Sequence, residues 1–320
     1  MPTPSGAPAK EGLAIREPLV ILDGPLGTEL AARGVATPPP GWSAEAIVHA
    51  PEVIRAIHRD YAAAGATVHT ANTFRTKRRQ VGDAWSDLAA RAVALAREAV
   101  PAGHLVAGSI APLEDCYRPD LSPSDARSEH RELSRALAAA GVDLILCETF
   151  PHVGEALVAV EEALATGLPV WVSFTAGPAA DLLTPDEVGR AAREAVARGA
   201  AAVLVNCVPA ARTRAFVEHL AQHLAQHLAQ HLAQHLAQQL AGAGVPFGAY
   251  ANAGAPEEGI GWDEARRDPV ARRRAALAYA ALARGWIEAG ATLVGGCCGT
   301  GPEHIAALAA LAASGDRPAW

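Results

Sequence analysis

Two adjacent cysteines, Cys297 and Cys298, lie in the glycine-rich stretch TLVGGCCGTG near the end of the chain. A disulfide between neighbours in sequence would close a small, strained ring. The opening stretch MPTPSGAPAKEGLA lacks the apolar centre of a secretory signal, so a cytoplasmic location is expected. Disulfides are scarce in the cytoplasm, where cysteines more often bind metals or react. The pair is therefore a candidate for metal binding or thiol chemistry.

A third cysteine, Cys207, closes the apolar run AAVLVNC at 201–207. If this run and TLVGGC at 292–297 are parallel strands that end at one rim, their three thiolates meet there. Three thiolates suit zinc and leave the fourth tetrahedral position open, which is typical of a catalytic rather than a structural zinc site. Gly295, Gly296 and Gly299 would free the backbone so that both neighbouring sulfurs can turn inward.

Other interpretations of these residues stay open at this point. Buried cysteines also serve as small apolar side chains, which suits Cys147 inside LILCET. The glycines after residue 294 could cradle a phosphate, although no Walker-type lysine follows them. Cys207 could act as a lone nucleophile, but no histidine ends a neighbouring strand to activate it.

Short β-rich runs alternate with alanine-rich helical stretches along the whole chain. The runs have the length and apolar content of buried parallel strands. Eight of them alternating with helices predict an α/β fold, a single-domain (β/α)8 TIM barrel. A doubly wound open sheet is the alternative, and the lack of a glycine-rich dinucleotide fingerprint after the first run disfavours it. The runs are 19–24, 67–74, 104–110, 142–149, 169–175, 201–207, 246–252 and 292–297.

Two helices between these strands carry start and stop signals. Thr184, followed by proline and then Glu187, predicts a helix start, with a stop at Gly199. Ser124 or Asp125 is the predicted cap of an earlier helix that stops at Gly141.

The tetrapeptide HLAQ repeats through residues 218–241, directly after the predicted sixth strand. Histidines four residues apart can chelate a metal on one helix face, but no acidic or cysteine partner accompanies them. The stripe also drifts by about 40° per repeat around a helix, as do the leucines, so no straight coiled-coil seam forms. We interpret the repeat as a low-complexity expansion that extends the helix after strand six. The histidines are His219, His223, His227, His231 and His235.

The composition limits the partners and the domain organisation. The chain has 320 residues, a net charge of -7 and a pI near 5.9, which disfavours nucleic-acid and anionic-membrane partners. No apolar run reaches the ~18 residues of a membrane span. One barrel domain at 19–313 is expected between a flexible tail at 1–18 and a short tail at 314–320. A homo-oligomer is compatible with the sequence.

Five stretches occur together in the order LDGPLGTEL, ANTF, CETF, VNC and GGCCGTGPEHI. In this combination the chain resembles the zinc-dependent homocysteine S-methyltransferases, which include the betaine and S-methylmethionine enzymes and the homocysteine module of methionine synthase. The resemblance runs from about Val20 to the helix after Pro302. The paired cysteines with a separate Asn-Cys upstream are its most specific part.

The resemblance implies a TIM barrel in which Cys207, Cys297 and Cys298 bind Zn²⁺ and the homocysteine sulfur takes the fourth position. It also implies substrate-binding roles, with no catalytic residue beyond the zinc site. The expected reaction moves a methyl group from a sulfonium or quaternary ammonium donor to homocysteine, giving methionine. S-methylmethionine or S-adenosylmethionine is favoured as donor, with betaine next. The expected substrate-binding residues are Asp23, Gly24, Asn72, Thr73 and Glu148.

Two further functions remain as alternatives: a methyltransferase for another small thiol or selenol, and a non-catalytic zinc-thiolate barrel. An open fourth position beside Asp23 and Glu148 would favour catalysis. One stretch departs from the family, because Ala111 stands where many relatives have a glycine. The loop that follows the third strand lies on the expected donor side, so this departure bears on donor identity.

Overall fold

The computed structural model describes residues 19–234, 244–254, 259–261 and 268–313. The tails expected at 1–18 and 314–320 lie outside the described residues, as do residues 235–241 of the HLAQ repeat. None of the described helices is both long and apolar enough to span a membrane.

The eight predicted strands all form, and each pairs in parallel with its neighbours. β1 pairs with β8, and the remaining strands follow in order to β2. A parallel bridge between Leu22 and Val68 joins β1 to β2 and closes the sheet. The (β/α)8 barrel predicted from the sequence is therefore confirmed, and the open-sheet alternative is wrong. The strands are β1 (Val20–Ile21), β2 (Val68–Thr70), β3 (Leu105–Ile110), β4 (Leu144–Phe150), β5 (Val170–Phe174), β6 (Ala202–Pro209), β7 (Phe247–Asn252) and β8 (Leu293–Gly296).

Helices follow the strands and cover the outside of the barrel. The long ones are amphipathic and bury mostly alanine, leucine and valine against the strands, because the chain has few aromatic residues. The α-helices are α1 (Leu26–Ala32), α2 (Ala46–His49), α3 (Pro51–Ala63), α4 (Arg78–Val81), α5 (Trp85–Ala99), α6 (Arg127–Ala140), α7 (Val153–Leu164), α8 (Pro185–Arg198), α9 (Ala210–Gln234), α10 (Pro269–Glu288) and α11 (Pro302–Ala313).

Side chains alternate between two buried layers along each strand. On β4, Leu144 and Leu146 belong to a small cluster inside the barrel, whereas Ile145 and Cys147 belong to the layer between strands and helices. Cys147 is fully buried there, as the interpretation of it as a small apolar side chain requires. Three rim residues, Cys207, Tyr250 and Cys297, join the inner cluster.

The helix-boundary predictions have mixed outcomes. Thr184 caps α8 in a capping box with Glu187, and Gly199 ends that helix in the left-handed conformation, as predicted. Gly141 likewise ends α6. The predicted side-chain cap of α6 is wrong, because Ala126 occupies the N-cap position and no side chain caps it. Asp125 instead accepts a hydrogen bond from the backbone of Arg127.

The HLAQ repeat continues α9 without a break as far as Gln234. Leu220 and Leu224 are buried against the barrel, and the Nε2 of His223 donates to a carboxylate oxygen of Asp186 on α8 at 3.0 Å. The helices approach closely here, since a Cβ on Gly189 would lie 2.3 Å from the His223 ring. The first turns of the repeat therefore pack as an ordinary barrel helix.

Candidate metal centre and substrate pocket

Cys207, Cys297 and Cys298 converge at the carboxyl-terminal rim of the barrel, where their sulfur atoms all lie within 4.8 Å of one another. We call these three residues the thiol cluster. The sulfurs of Cys207 and Cys297 are 2.7 Å apart, although the two residues are 90 positions apart in the chain. All five cysteines lie in the described part of the chain, and no disulfide joins any of them. A set of three sulfur ligands suits a thiophilic cation such as zinc.

A break in the regular pleat turns Cys207 into the barrel. Alternation along β6 places Asn206 inside, where its amide oxygen accepts a hydrogen bond from Ser173 at 2.8 Å. The next residue would point outward, but Cys207 has a φ of +53° and the pairing with β7 shifts register here. Asn206 also donates to Thr149, itself at a φ of +63°, at 2.8 Å. Asn206 thus links the ends of β4 and β6, where both strands leave the regular strand conformation. Because of the left-handed backbone at Cys207, the side chains of both Asn206 and Cys207 face the inside of the barrel.

A tight turn at the end of β8 presents the cysteine pair. The backbone amide and the hydroxyl of Thr300 both donate to the carbonyl of Cys297, at 3.0 and 2.8 Å. Gly299 takes the third position of the turn at a φ of +84°, which favours glycine. Cys298 occupies the corner between them, so its sulfur can lie beside that of Cys297.

The glycines before the pair have a different role from the expected one. The expectation that they free the backbone holds for Gly299 alone, since Gly295 and Gly296 do not have positive φ. A Cβ on Gly295 would lie 2.7 Å from Leu22, and one on Gly296 would lie 2.2 Å from Thr300. These two glycines therefore allow the close packing of β1 and of the cysteine turn against β8.

The thiol cluster disfavours its own ionisation in the absence of a cation. Contacts with Cys297 and Cys298, then burial, raise the pKa of Cys207 well above its usual value. The Cys207 sulfur, followed by burial, also raises the pKa of the nearby Tyr117. A divalent cation would reverse this preference, because metal binding deprotonates a coordinating thiol.

A cavity of about 240 Å³ opens beside the thiol cluster. Its walls include the two rim carboxylates, Asp23 and Glu148. Four aromatic side chains also line it, namely Trp42, Phe74, Tyr117 and Tyr250. The pocket therefore combines sulfur ligands, buried negative charge and aromatic faces.

The two carboxylates are buried and lack a cationic lysine or arginine partner among the described residues. Burial raises the pKa of Asp23 and that of Glu148 above their usual values. Asp23 accepts a hydrogen bond from the Thr70 amide at 2.9 Å. Glu148 accepts hydrogen bonds from Ser109 and, at 3.0 Å, from Tyr250. Two acids held in this way form a suitable site for a ligand ammonium group.

The other residues expected to bind substrate have different positions. Gly24 lines the pocket, and a Cβ there would lie 2.6 Å from the Tyr61 ring, so the position requires glycine. Asn72 also lines the pocket, but its amide exchanges hydrogen bonds with Ser43, at 2.8 and 2.7 Å, and so anchors the segment that carries Trp42.

Thr73 is fully buried and does not line the pocket. Its hydroxyl donates to the Ser109 carbonyl at 2.8 Å and accepts from the Ser109 amide at 2.9 Å. Thr73 therefore holds the strand that supplies a hydroxyl to Glu148, rather than the ligand itself.

Sequence reasoning missed several residues that shape this site. Ser109 and Tyr250 lie inside strands, where nothing in the local sequence marks a hydroxyl as a partner of Glu148. Tyr250 follows the alternation of β7 into the barrel, and this signal could have identified it. Cys116, in the loop after β3, is also buried and lines the pocket.

A second group of metal-binding side chain types lies behind the rim. Ligand atoms of Asp23, His58 and His69 lie within 4.8 Å of one another, and we call these residues the imidazole cluster. Both histidines are fully buried, and neither lines the pocket. Burial lowers the pKa of His58 to about 4 and, together with the neighbouring histidines, that of His69 to about 3. His69 also shares a hydrogen bond of 3.0 Å with His104.

Comparisons with known proteins agree with this architecture. The family model described as homocysteine S-methyltransferase matches residues 20–312. The homocysteine S-methyltransferase of Escherichia coli is 31% identical over 92% of this chain and 96% of its own length. A Bacillus subtilis relative, homocysteine S-methyltransferase YbgG, is also 31% identical, over 93% of this chain and 95% of its own.

Two further matches extend the comparison. The mouse S-methylmethionine–homocysteine S-methyltransferase BHMT2 is 31% identical over 84% of this chain and 71% of its own. The crystal structure of the metallated E. coli methyltransferase MmuM superposes with a TM-score of 0.70 at 26% identity, covering 92% of this chain and 97% of that one. The family model and the relatives cover nearly all of the barrel, so this chain belongs to the homocysteine S-methyltransferase family.

Proposed function

We propose that this methyltransferase is zinc-dependent and that Cys207, Cys297 and Cys298 are its zinc ligands. The supporting observation is that three sulfurs within 4.8 Å of one another adjoin the pocket lined by two buried carboxylates. Bound there, zinc would keep the homocysteine sulfur in its nucleophilic thiolate form. Disulfides are scarce in the reducing cytoplasm, where cysteines stay free to bind a metal, so we also propose a cytoplasmic location.

Asp23 and Glu148 would bind the ammonium group of homocysteine. Both lie on the pocket wall, and neither has a lysine or arginine partner among the described residues. An ammonium group would stabilise their ionised forms, against the burial that raises their pKa values. Ser109 and Tyr250 would orient Glu148, while Asn72 and Gly24 would shape the wall around the amino acid.

The aromatic residues of the pocket suit a cationic methyl donor. Trp42 and Phe74 meet edge to face with ring centroids 6.4 Å apart, and both line the cavity. Aromatic faces attract sulfonium and quaternary ammonium groups and exclude water from the transfer. The mouse relative is named for S-methylmethionine, which is such a cation. A new sulfur–carbon bond forms as the bond from the onium centre to the methyl group breaks. The electron pair stays with the departing sulfide or amine.

The test is a methyl-transfer assay after controlled metal loading. The protein is stripped with a chelator, reloaded with zinc, and supplied with homocysteine and S-methylmethionine, S-adenosylmethionine or betaine. We expect methionine to form with at least one donor, one zinc to bind per chain, and activity to follow zinc content. Methionine formation that persists in the stripped protein would refute zinc dependence. Turnover of a different thiol or selenol in place of homocysteine would indicate another acceptor.

A further inference from the structure

A buried carboxylate outside the pocket holds the two ends of one pocket wall. Glu155 lies in the first turn of α7, is buried, and does not line the cavity. One of its carboxylate oxygens accepts a hydrogen bond from the Leu113 amide at 2.7 Å, and the other accepts from the Ser122 hydroxyl at 2.6 Å. Glu155 therefore closes residues 113–122, which follow β3, into a loop with fixed ends. We call these residues the rim segment.

Buried neighbours keep Glu155 in place. His130 of α6 is fully buried, and its Nε2 donates to the carboxylate at 3.2 Å. The Glu155 amide donates at 3.1 Å to the ring of His152, which caps α7. Burial acts to raise the pKa of Glu155, but the hydrogen bonds from His130, Ser122 and Leu113 together hold it below its usual value. The rim segment is thus anchored by an ionised carboxylate with charge-assisted hydrogen bonds, which are the stronger kind.

The middle of the rim segment reaches the thiol cluster. Of its residues, Cys116 and Tyr117 line the cavity. The Tyr117 ring packs against the inner cluster that contains Cys207 and Cys297. It also lies near the loop after β5, since a Cβ on Gly177 would be 3.8 Å from the ring. Tyr117 therefore extends across the barrel mouth from the β3 side toward the β5 side, beside the sulfurs.

The other side chains that bond the rim segment from outside act near its entry. Lys77 donates to the carbonyl of Pro112, the residue before the segment. Glu114 forms an exposed ion pair with Arg79 of α4, and such pairs contribute little to stability. In the part of the chain that the structure describes, Glu155 is the buried carboxylate that bonds both the entry and the exit of the segment.

We infer that Glu155 is a positioning residue of this methyltransferase, which fixes the rim segment so that Tyr117 stays beside the thiol cluster. The ring excludes water from the space next to the reacting sulfur, and a shift of this wall would loosen the alignment for methyl transfer. Glu155 does not line the cavity, so its effect on the reaction must pass through the segment. The effect on turnover rests on the proposed function, whereas the hold on the segment does not.

The first test measures opening of the rim segment without reference to activity. Iodoacetamide alkylates the protein as purified with its metal, and peptide mass spectrometry gives the rate for each cysteine. Cys116 reports on the segment, because it is buried there and burial raises its pKa to about 12. Cys147, in the outer layer, reports on opening of the whole fold. We expect Glu155→Ala to alkylate at Cys116 about tenfold faster or more, with Cys147 unchanged, because opening the segment then breaks fewer hydrogen bonds.

Two further variants complete this measurement. Glu161→Ala is the matched control, because Glu161 lies on the same helix but pairs with Arg127 and Arg198 at the surface. It should alkylate as wild type. Glu155→Gln keeps one acceptor oxygen and should raise the Cys116 rate by only about threefold. It gives the same test should Glu155→Ala fail to fold.

The second test asks whether Glu155 acts through Tyr117. In zinc-loaded protein, Glu155→Ala and Tyr117→Ala should each lower kcat for methionine formation by about tenfold, because each loosens the same wall. The KM for homocysteine should change less, since the pocket acids are untouched. The double variant should be no slower than the slower single variant, because residues that act as one unit are not additive.

Contrary outcomes separate this inference from the proposed function. An unchanged Cys116 rate in both Glu155 variants, or an equal rise at Cys147, would overturn the hold on the rim segment. Effects on kcat that multiply in the double variant would show that Glu155 does not act through Tyr117. Protection of Cys116 that depends on Glu155, in a protein that forms no methionine, would support the hold on the segment while refuting the proposed reaction.

Discussion

The thiol cluster and the imidazole cluster are two groups of three potential metal ligands in one barrel, and in each the ligand atoms lie within 4.8 Å of one another. The two clusters differ in whether their ligand atoms can be reached from the cavity. The sulfurs adjoin the cavity, whereas the imidazoles of His58 and His69 are fully buried between the strands and α3 and do not line it. Asp23 belongs to the imidazole cluster and lines the pocket as well.

The two clusters also differ in how the fold affects the protonation of their side chains. The other two thiols, followed by burial, raise the pKa of Cys207, and a bound cation would reverse this preference. The imidazoles are already neutral in the fold, because burial lowers the pKa of His58 to about 4. Proximity of ligand types therefore does not by itself make a reaction centre. Because only the thiol cluster adjoins a cavity in which a ligand can complete the coordination, we propose it, and not the imidazole cluster, as the reaction centre.

The largest expected effect comes from removing one sulfur of the thiol cluster. Cys298→Ser should lose tightly bound zinc and reduce methionine formation by about a thousandfold or more, because two thiolates and a hydroxyl hold zinc poorly. Metal analysis and turnover measure this. Cys147→Ser is the control, since Cys147 lies in the outer layer, and it should keep its zinc. A Cys298→Ser variant with full zinc content and activity would contradict the assignment of the thiol cluster.

The next effect tests whether the acids bind the acceptor. Glu148→Gln keeps a similar shape beside Ser109 and Tyr250 but removes the charge that would bind the ammonium group. We expect kcat/KM for homocysteine to fall by about 10- to 100-fold, mainly through KM, as expected for one charged hydrogen bond. Zinc content should not change. An exposed control, Glu194→Gln on α8, should leave KM unaltered. An unchanged KM in Glu148→Gln would show that the ammonium binds elsewhere.

The two clusters also differ in how far the sequence predicted them. The strand ends could be predicted because apolar runs and their polar closing residues are local signals, and the parallel barrel brings such ends together. The placement of Cys207, Cys297 and Cys298 followed from that topology. The imidazole cluster was not predicted, because His58 lies on a helix and its approach to Asp23 depends on how α3 packs.

The turning of Cys207 and the role of Thr73 escaped prediction for a related physical reason. A left-handed φ at Cys207 depends on hydrogen bonds from Asn206 to other strands, and no local pattern encodes these bonds. Thr73 lies beside the pocket residues in sequence, but its hydroxyl is used by the Ser109 backbone. Pairings between distant strands thus decide which of several neighbouring polar residues reaches a ligand.

Tyr250→Phe tests this supporting layer and should have a smaller effect. Loss of the hydroxyl removes one hydrogen bond of 3.0 Å to Glu148, which then orients less well. We expect kcat/KM for homocysteine to fall by about three- to tenfold, the range of a single hydrogen bond. Steady-state kinetics on zinc-loaded protein measure it. A fall as large as that of Glu148→Gln would indicate that Tyr250 contacts the substrate directly.

The smallest effect on activity is expected at the imidazole cluster, where the consequence is a change in the pH dependence of stability. The pKa of His58 is about 4 and that of His69 about 3, below their usual value of 6.5. Below about pH 6.5 the unfolded chain therefore binds protons that the folded chain does not. Above this pH the two histidines do not lower the free energy of unfolding. As the pH decreases toward 4, the free energy of unfolding falls by about 1.4 kcal/mol per pH unit for each histidine.

His69→Leu removes one of these two protonation sites and should reduce their combined slope by about half, while leaving one zinc per chain and turnover at pH 8 near wild type. Urea unfolding at several pH values between 4.5 and 7.5 gives the slope, and metal analysis gives the zinc content. An unchanged slope would mean that His69 is not held neutral by the fold. Loss of a second metal ion from the variant would make the imidazole cluster a metal site and remove the difference between the two clusters.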